Sequence, residues 1–378
     1  MSQLESAVTQ AKSFLAENNS KEALKVLKPL KKSLKSTNSS NVELLQVFAD
    51  AYLDDGQLEK AYPLLVKACE LDPNGMIGGS DKYFTLGQVA GGEDGIRLLM
   101  QGIESVSQQA GDVLRQDQAD KIVNGLLSMI EIWMTDLCMK PNAENQCEEL
   151  ITKAMEVSDN KSPEAWVTLG SIRISQQRFD DAVGAFTQSW RFFQDKKTKI
   201  EEAIESGDAT HTEFVELLQP LLNLAKMCIE MGLYEISLEI LVAIKDVDED
   251  NLEGLYLEGF THYLICKLEL FRHKNPNIVL NSENVYEFNQ HFPELPLELS
   301  TESIGEHVRE ARLALTYMIK LAENSDLRDE VMVELTDGAN SLLTELGGPV
   351  DISELIRSRK GEEVGDDEDI EFEETEEA

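Results

Sequence analysis

The sequence predicts an all-α fold: a right-handed solenoid of antiparallel helix pairs, followed by a disordered acidic C-terminal tail. Three observations favour this fold class. Apolar residues recur at helical spacing in segments that share one pattern of large and small positions. Hydrophobic residues make up 42% of the 378 residues and aromatic residues only 6%, which favours helices. The last residues are acidic, with too little apolar content to fold.

The clearest copy of the pattern lies in residues 42–73. Small residues at Ala49 and Ala61 allow two antiparallel helices to cross closely, because both helices cannot carry bulk at the contact. Gly56 permits the turn between the helices, and Pro73 ends the second helix. The larger positions around them are Leu45, Phe48, Tyr52 and Leu65.

The pattern recurs along the chain, and two copies begin 34 residues apart, at Leu218 and Leu252. One such repeat cannot bury its apolar face alone, so we expect the copies to stack into one array. The alternative is an irregular helical bundle whose alternation imitates the repeat. The copies begin at Leu4, Val42, Ser80, Ser128, Pro163, Leu218 and Leu252.

The copy that begins at Ser80 is the least regular. We expect it to lack a normal second helix because Gly91, Gly92 and Gly95 crowd the turn. Extra helical sequence is expected over residues 104–121.

Residues 1–348 are predicted to form the solenoid and to include three insertions. Residues 349–361 are predicted to be a short linker or helix, and residues 362–378 a disordered acidic tail. Prolines interrupt the third insertion, which splits the last repeat, and helices over 302–321 and 327–346 are expected to cap the array. The insertions lie near residues 100–125, 194–212 and 275–300.

The chain is strongly acidic, with 34 Lys and Arg against 71 Asp and Glu, a formal charge of −37. Residues 362–378 hold 11 acidic and no basic residues, so the rest of the chain carries −26. This charge disfavours direct binding to nucleic acid and favours a basic partner.

The five cysteines are widely spaced and form no Cys-x-x-Cys pair, as expected of reduced thiols. The first residues lack a secretory signal pattern, and no stretch of about 18 apolar residues occurs. We therefore expect a protein of the cytoplasm and nucleus that does not enter a membrane.

The spacings in residues 42–73 resemble the tetratricopeptide repeat, or TPR. The whole layout, with a split last repeat and a tail that contains Asp366-Asp367-Glu368-Asp369, resembles the fungal dedicated assembly chaperones of ribosomal protein L4. The resemblance implies a concave wall that captures the extended internal loop of newly made L4, shields it, and releases it at nuclear pre-60S particles. Nuclear import machinery is an expected further partner. The competing classes are a general TPR scaffold or co-chaperone adaptor and a regulatory subunit of an enzyme complex.

In this architecture the first helix of each repeat lines the concave wall. Carboxylates mixed with aromatic and aliphatic groups suit a partner with Lys or Arg between apolar residues. Lys12 and Lys226 are expected to be isolated there, so a basic clamp for acidic C-termini is not predicted. The carboxylates taken singly could instead be a solvated face. The candidate residues are Glu43, Gln46, Asp50, Leu53, Glu164, Val167, Ser171, Glu253, Tyr256, Phe260 and Tyr263.

The acidic tail has two interpretations, a solubility segment or a mobile decoy that covers a basic partner. A basic stripe from Lys21 to Lys35 is either a solvated face or a place where the tail rests. The tail residues singled out are Asp366, Asp367, Glu368, Asp369, Glu371, Glu373 and Glu374.

No catalytic residue, cofactor site or metal site is predicted, and the protein is not expected to be an enzyme. Asp246, Asp248 and Asp250 begin like a calcium loop, but the later positions do not fit, and we expect a turn between repeats. His262 and Cys266 lie four residues apart without a second ligand pair, which favours packing over metal binding.

Overall fold

The computed structural model describes residues 3–16, 19–111, 113–207, 211–324 and 330–359. These residues form α-helices and short 3-10 helices and contain no β-strand, so the predicted all-α class is confirmed. They divide into two compact units, Met1–Leu169 and Gly170–Ala378, and the boundary falls inside a helix. None of the described helices has the length and apolar composition needed to cross a lipid bilayer. The predicted tail lies outside the described residues.

The first unit consists of four helix pairs and the start of a ninth helix. Each pair packs as an antiparallel hairpin, α1 with α2, α3 with α4, α5 with α6 and α7 with α8, and α1 also contacts α3 as α5 contacts α7. The helices are α1 (Gln3–Ala16), α2 (Ser20–Leu27), α3 (Val42–Asp54), α4 (Leu58–Leu71), α5 (Asp81–Ala90), α6 (Gly92–Gln109), α7 (Gln116–Met134), α8 (Ala143–Val157) and α9 (Pro163–Ser175).

Asparagine side chains cap the N-termini of two of these helices, α2 and α3. Asn19 accepts a hydrogen bond from the Glu22 amide at 3.3 Å, and Asn41 accepts one from the Leu44 amide at 2.9 Å, which satisfies amides that lack a partner in the first turn. Gly56 turns the chain between α3 and α4 with φ of +70°. The predicted repeat at residues 42–73 therefore has its helices and its turn where the sequence placed them.

The prediction that the copy at Ser80 lacks a normal second helix is wrong, because its second helix is complete. α6 begins at Gly92 and packs along α5. A Cβ at Gly95 would lie 2.6 Å from the Gly87 carbonyl oxygen, so these glycines are where the two helices cross most closely. The glycines that were expected to crowd the turn instead allow the pair to form. The helix expected over 104–121 is also interrupted, since α6 ends at Gln109 and α7 begins at Gln116.

The second unit contains the remaining helices. α12 packs with α13, α14 packs with α16, and α17 contacts both α14 and α16. The helices are α10 (Phe179–Ser206), α11 (His211–Val215), α12 (Leu218–Glu230), α13 (Tyr234–Val247), α14 (Leu252–Lys274), α15 (Val285–His291), α16 (Gly305–Asn324), α17 (Glu330–Glu345) and α18 (Ile352–Arg359).

The predicted insertions in this unit are largely helical. The polar segment after Phe193 continues α10, which extends to Ser206. Between α14 and α16 lies α15, whose Phe288 is fully buried and meets Phe271 of α14 edge to face at 5.7 Å between ring centroids. The proline-containing segment is thus anchored by an aromatic contact although its apolar residues do not follow a helical stripe.

A second close crossing fixes α9 on α10. Gly170 of α9 faces the fully buried ring of Phe186, and a Cβ at Gly170 would overlap that ring. Because the ring has no free space to move into, this position requires glycine.

We expect Gly170→Ala to lower the free energy of unfolding by about 1–3 kcal/mol, since the added methyl group overfills a packed contact. The matched control is Gly184→Ala in α10, where a Cβ would meet nothing within 4 Å. That variant should be neutral or more stable by up to about 1 kcal/mol, because alanine favours helix. Urea unfolding followed by circular dichroism measures both, and equal effects at the two sites would contradict the close crossing.

Candidate functional site

Four carboxylates lie on α3 and α5, which are the first helices of two neighbouring helix pairs in the first unit. Glu43, Asp50 and Asp54 follow one face of α3, at spacings of seven and four residues, and Asp81 begins α5. We call these four residues the acidic row. Glu43 and Asp50 were predicted, whereas Asp54 and Asp81 were not, although the spacing of Asp54 four residues after Asp50 was a usable signal.

Two lysines already pair with the ends of the row. Lys12 Nζ of α1 lies 2.6 Å from Glu43, and Lys121 Nζ of α7 lies 2.6 Å from Asp81. Both pairs are exposed, so each stabilises the fold by less than about 1 kcal/mol. Lys12 thus pairs with a carboxylate, because first helices of successive repeats lie side by side and bring residues one repeat apart into contact.

Asp50 is the half-buried member of the row. Burial, together with repulsion from Asp54 and Asp81, raises the pKa of its carboxyl to about 6, and Lys12 only partly opposes this. Among the described residues, no side chain forms an ion pair or hydrogen bond with Asp50. The row thus contains a partly desolvated carboxylate that an incoming cation would stabilise.

The other predicted residues of this unit have different surroundings. Gln46 donates from Nε2 to the Gly78 carbonyl oxygen at 3.0 Å, and Leu53 packs against the hydrophobic core. Glu164 accepts a hydrogen bond from Ser162 Oγ at 3.0 Å in the first turn of α9. Val167 is half-buried. The structure groups Glu43, Gln46, Asp50 and Leu53 on α3, with Glu164 and Val167 on a separate helix.

In the second unit, Glu253 of α14 pairs with Lys226 of α12 at 2.5 Å. Lys226 thus pairs with a carboxylate one repeat away, as Lys12 does. Ser171 of α9 lies with its hydroxyl 3.8 Å from the Met227 sulfur. Both predicted polar residues are thus engaged within the unit.

The three predicted aromatic residues form a stacked ladder along α14. The rings of Tyr256 and Phe260 are 6.1 Å apart and tilted by 13°, and those of Phe260 and Tyr263 are 6.3 Å apart and tilted by 19°. Spacings of four and three residues place them on one helical face. The predicted juxtaposition of these rings is present.

α17 covers one side of this ladder, which the sequence did not indicate. A Cβ at Gly338 of α17 would lie 2.9 Å from Tyr256 Oη. Tyr263 is only 2% exposed and donates from its hydroxyl to Glu345 at 2.9 Å. Tyr263 therefore does not present its ring to a partner in this conformation, which corrects its predicted role. The reason is a contact between two residues that are 82 positions apart in the chain.

The acidic triplet between α13 and α14 forms a turn. Asp246 pairs with Lys197 at 2.9 Å, Asp248 accepts from the Asp250 amide at 3.2 Å, and Asn251 caps α14 by accepting from the Gly254 amide at 2.8 Å. Among the described residues, no group of three or more metal-ligating side chains comes together.

His262 lies against His307 of α16 rather than against a metal ligand. Their Nδ1 atoms are 2.9 Å apart, so one ring donates and the other accepts. Burial lowers the pKa of His262 to about 4, with smaller contributions from His307 and Lys245.

We expect contacts between α14 and α16 to weaken as pH falls from about 6.5 towards 4. In that range the unfolded chain binds a proton at His262 that the folded unit does not, so the free energy of unfolding falls by about 1–3 kcal/mol. Hydrogen exchange of α14 amides measures this. His262→Gln should flatten the pH dependence, and His273→Gln, at an exposed position of the same helix, should leave it unchanged.

We expect Asp50→Asn to raise the stability of the first unit at pH 7 by about 1–2 kcal/mol, because the raised pKa of Asp50 means that its charged form opposes folding. Between about pH 4 and 6 the folded wild type binds more protons than the unfolded chain, so its free energy of unfolding falls as pH rises. The variant should lack this fall. Glu70→Gln, at an exposed position of α4, is the control. A variant less stable than wild type at pH 7 would contradict the assignment.

Comparison with known proteins agrees with this architecture. Residues 250–371 match the family described as the ACL4 C-terminal domain, and residues 42–74 match the tetratricopeptide repeat. A protein of Emericella nidulans, named probable assembly chaperone of rpl4, is 27% identical over 267 residues, which cover 68% of this chain and 64% of that protein. The chain thus spans slightly under two thirds of that relative. A Schizosaccharomyces pombe protein of the same name is 27% identical over 270 residues. The matched region covers 70% of this chain and 75% of that protein.

A solved structure has the same fold. The assembly chaperone of RpL4 (Acl4), residues 1–338, superposes with a TM-score of 0.51 at 23% identity, over 71% of this chain and 98% of that chain. The resemblance inferred from the sequence is confirmed: the chain carries a tetratricopeptide repeat at residues 42–74 and resembles the ACL4 C-terminal domain over residues 250–371.

Proposed function

We propose that this protein is a dedicated, non-catalytic chaperone that binds newly made ribosomal protein L4 and delivers it to nuclear pre-60S assembly. The observation that carries the proposal is the acidic row with its half-buried, unpaired Asp50. The names of the two relatives, both called probable assembly chaperones of rpl4, support the choice of partner.

The charge of the chain supports a basic partner. At −37 the protein attracts cationic segments and repels nucleic acid, with which a free ribosomal protein would otherwise associate. An extended basic segment cannot fold alone and associates with any polyanion, so an acidic surface that covers it prevents that association.

The acidic row gives this attraction a definite place. An arginine or lysine of the partner at Asp50 would form a charge-assisted hydrogen bond in partly desolvated surroundings, where such bonds are stronger than at the open surface. Glu43 and Asp81 already hold lysines, so they frame the position instead of competing for the same cation. The aromatic ladder of the second unit is a second candidate surface, and α17 would have to move before Tyr263 could contribute to it.

Delivery implies that the protein enters both cytoplasm and nucleus, with import machinery as a further partner. Binding and shielding require no bond to be made or broken in the partner, which is why the proposal is non-catalytic. Release at the pre-60S particle would follow when RNA competes for the basic segment.

We expect Asp50→Asn to weaken L4 binding about tenfold, the effect of losing roughly 1.4 kcal/mol of charge-assisted contact, although the variant is more stable. Glu70→Gln removes one negative charge from α4 and should change affinity less than twofold. Isothermal titration with L4 at two salt concentrations measures this, and wild-type affinity should fall as salt rises. Equal affinity of Asp50→Asn and wild type for L4 would show that the binding site lies elsewhere.

Affinity purification at moderate salt tests the choice of partner. Nearly stoichiometric recovery of L4 supports the proposal. Recovery of a heat-shock chaperone or a stable enzyme complex instead would indicate an adaptor or a regulatory subunit and would reject it.

A further inference from the structure

Two large apolar side chains protrude next to the acidic row. Met76 is 74% exposed and Ile77 is 73% exposed, in the segment of residues 73–79 that joins α4 to α5. We call this segment the Met76 loop. Single exposed apolar residues are ordinary, but two adjacent ones on a fixed loop form a surface that another molecule can cover.

One buried carboxylate, that of Asp72, fixes the conformation of the Met76 loop. Asp72 accepts hydrogen bonds from the amides of Met76, Ile77 and Gly78 at 2.9, 3.1 and 2.9 Å. The buried ammonium of Lys82 lies 2.8 Å from the same carboxylate. These donors and the ammonium lower the pKa of Asp72 although burial opposes this. The loop therefore has a definite conformation without using either apolar side chain.

Helix α6 holds the loop from one side. Three polar side chains of α6 donate to loop carbonyl oxygens at 2.9 to 3.2 Å, so the backbone of the loop is satisfied. The pairs are Gln101 with Pro73, Ser105 with Asn74, and Gln109 with Gly75.

The loop touches α3 in the middle of the acidic row. Gln46 donates to the Gly78 carbonyl oxygen at 3.0 Å, and a Cβ at Gly78 would overlap the Gln46 side chain. Gln46 lies three residues after Glu43 and four before Asp50, on the same helical face. Ile77 is one residue from Gly78, about 3.8 Å between Cα atoms, so it lies close to the edge of the row.

A buried ion pair such as Asp72 with Lys82 contributes little net stability, because desolvation offsets the attraction. Its effect here is to fix the loop in one arrangement. A surface fixed before binding loses less conformational entropy when a partner arrives, which strengthens binding.

We propose that the Met76 loop and the acidic row form one binding surface, which recognises an extended peptide in which a basic residue is flanked by aliphatic residues. The basic side chain would lie at Asp50 while an aliphatic neighbour covers Met76 and Ile77. The inference rests on the proposed function and adds to it a requirement for apolar residues beside the charge. Nucleic acid, an anionic membrane and a second copy of this acidic chain are disfavoured because each would bring negative charge to the row.

The test compares two synthetic peptides, one of alternating Lys and Leu and one in which every Leu is replaced by Ser. We expect the full-length wild type to bind the Leu peptide at least about tenfold more tightly, since two apolar side chains are buried only in that complex. In the double variant Met76→Ser/Ile77→Ser the preference should fall below about threefold. Met139→Ser, 93% exposed between α7 and α8, is the control and should keep the wild-type preference. Fluorescence anisotropy gives the affinities.

The results of this test distinguish a failure of this inference from a failure of the proposed function. A double variant that keeps the full preference for the Leu peptide, while Asp50→Asn still weakens L4 binding, would overturn the inference and leave the proposed function standing. Wild type that binds neither peptide nor L4 would reject both. A double variant that changes only the sedimentation of the protein would show that the loop joins two copies, and this too would overturn the inference. Unchanged circular dichroism establishes that the variant is folded.

Discussion

Close crossing of paired helices at small residues is the constraint on which the rest of the structure depends. At Gly95 the backbone of Gly87 lies so close, and at Gly170 the ring of Phe186 lies so close, that a larger residue would overlap its neighbour. Each crossing fixes which face of the first helix is buried and which remains outside. On α3, Ala49 is fully buried, and the face that remains outside carries three members of the acidic row.

The acidic row works against the stability of the first unit. Neighbouring first helices place Asp50, Asp54 and Asp81 near one another, and within the described part of the chain the lysine partners of the row lie at Glu43 and Asp81. A fold selected for stability alone would have neutralised the central carboxylate. Retaining it is consistent with a surface whose missing cation arrives with the partner, in keeping with the cost that binding sites commonly impose on folding.

The fold class and the clearest repeat could be predicted because they depend on local spacing. Ala49, Gly56 and Ala61 have defined roles in a single helix pair, and the match at residues 42–74 confirms that repeat. The second helix after Ser80 was missed because glycine has two uses, turning a chain and allowing close approach, and only the spatial partner distinguishes them.

The candidate site was only partly predictable for a related reason. Sequence spacing placed Glu43 and Asp50 on one face of a helix, but it gave no information about Lys12, which reaches Glu43 from another repeat. The covering of Tyr263 by α17 depends on a contact across 82 residues. Long-range contacts of this kind have no periodic signal, and they determine which predicted residues remain accessible.

The ammonium of Lys267 restricts where this chain can change in length. Fully buried, it donates to Glu345 at 2.8 Å and to the Leu295 carbonyl oxygen at 2.5 Å, and it lies over the Tyr263 ring. One side chain thus ties two distant stretches of chain to α14. Residues can be added or deleted in the segment before α16 at small entropic cost, provided that the peptide at Leu295 still returns to the same point.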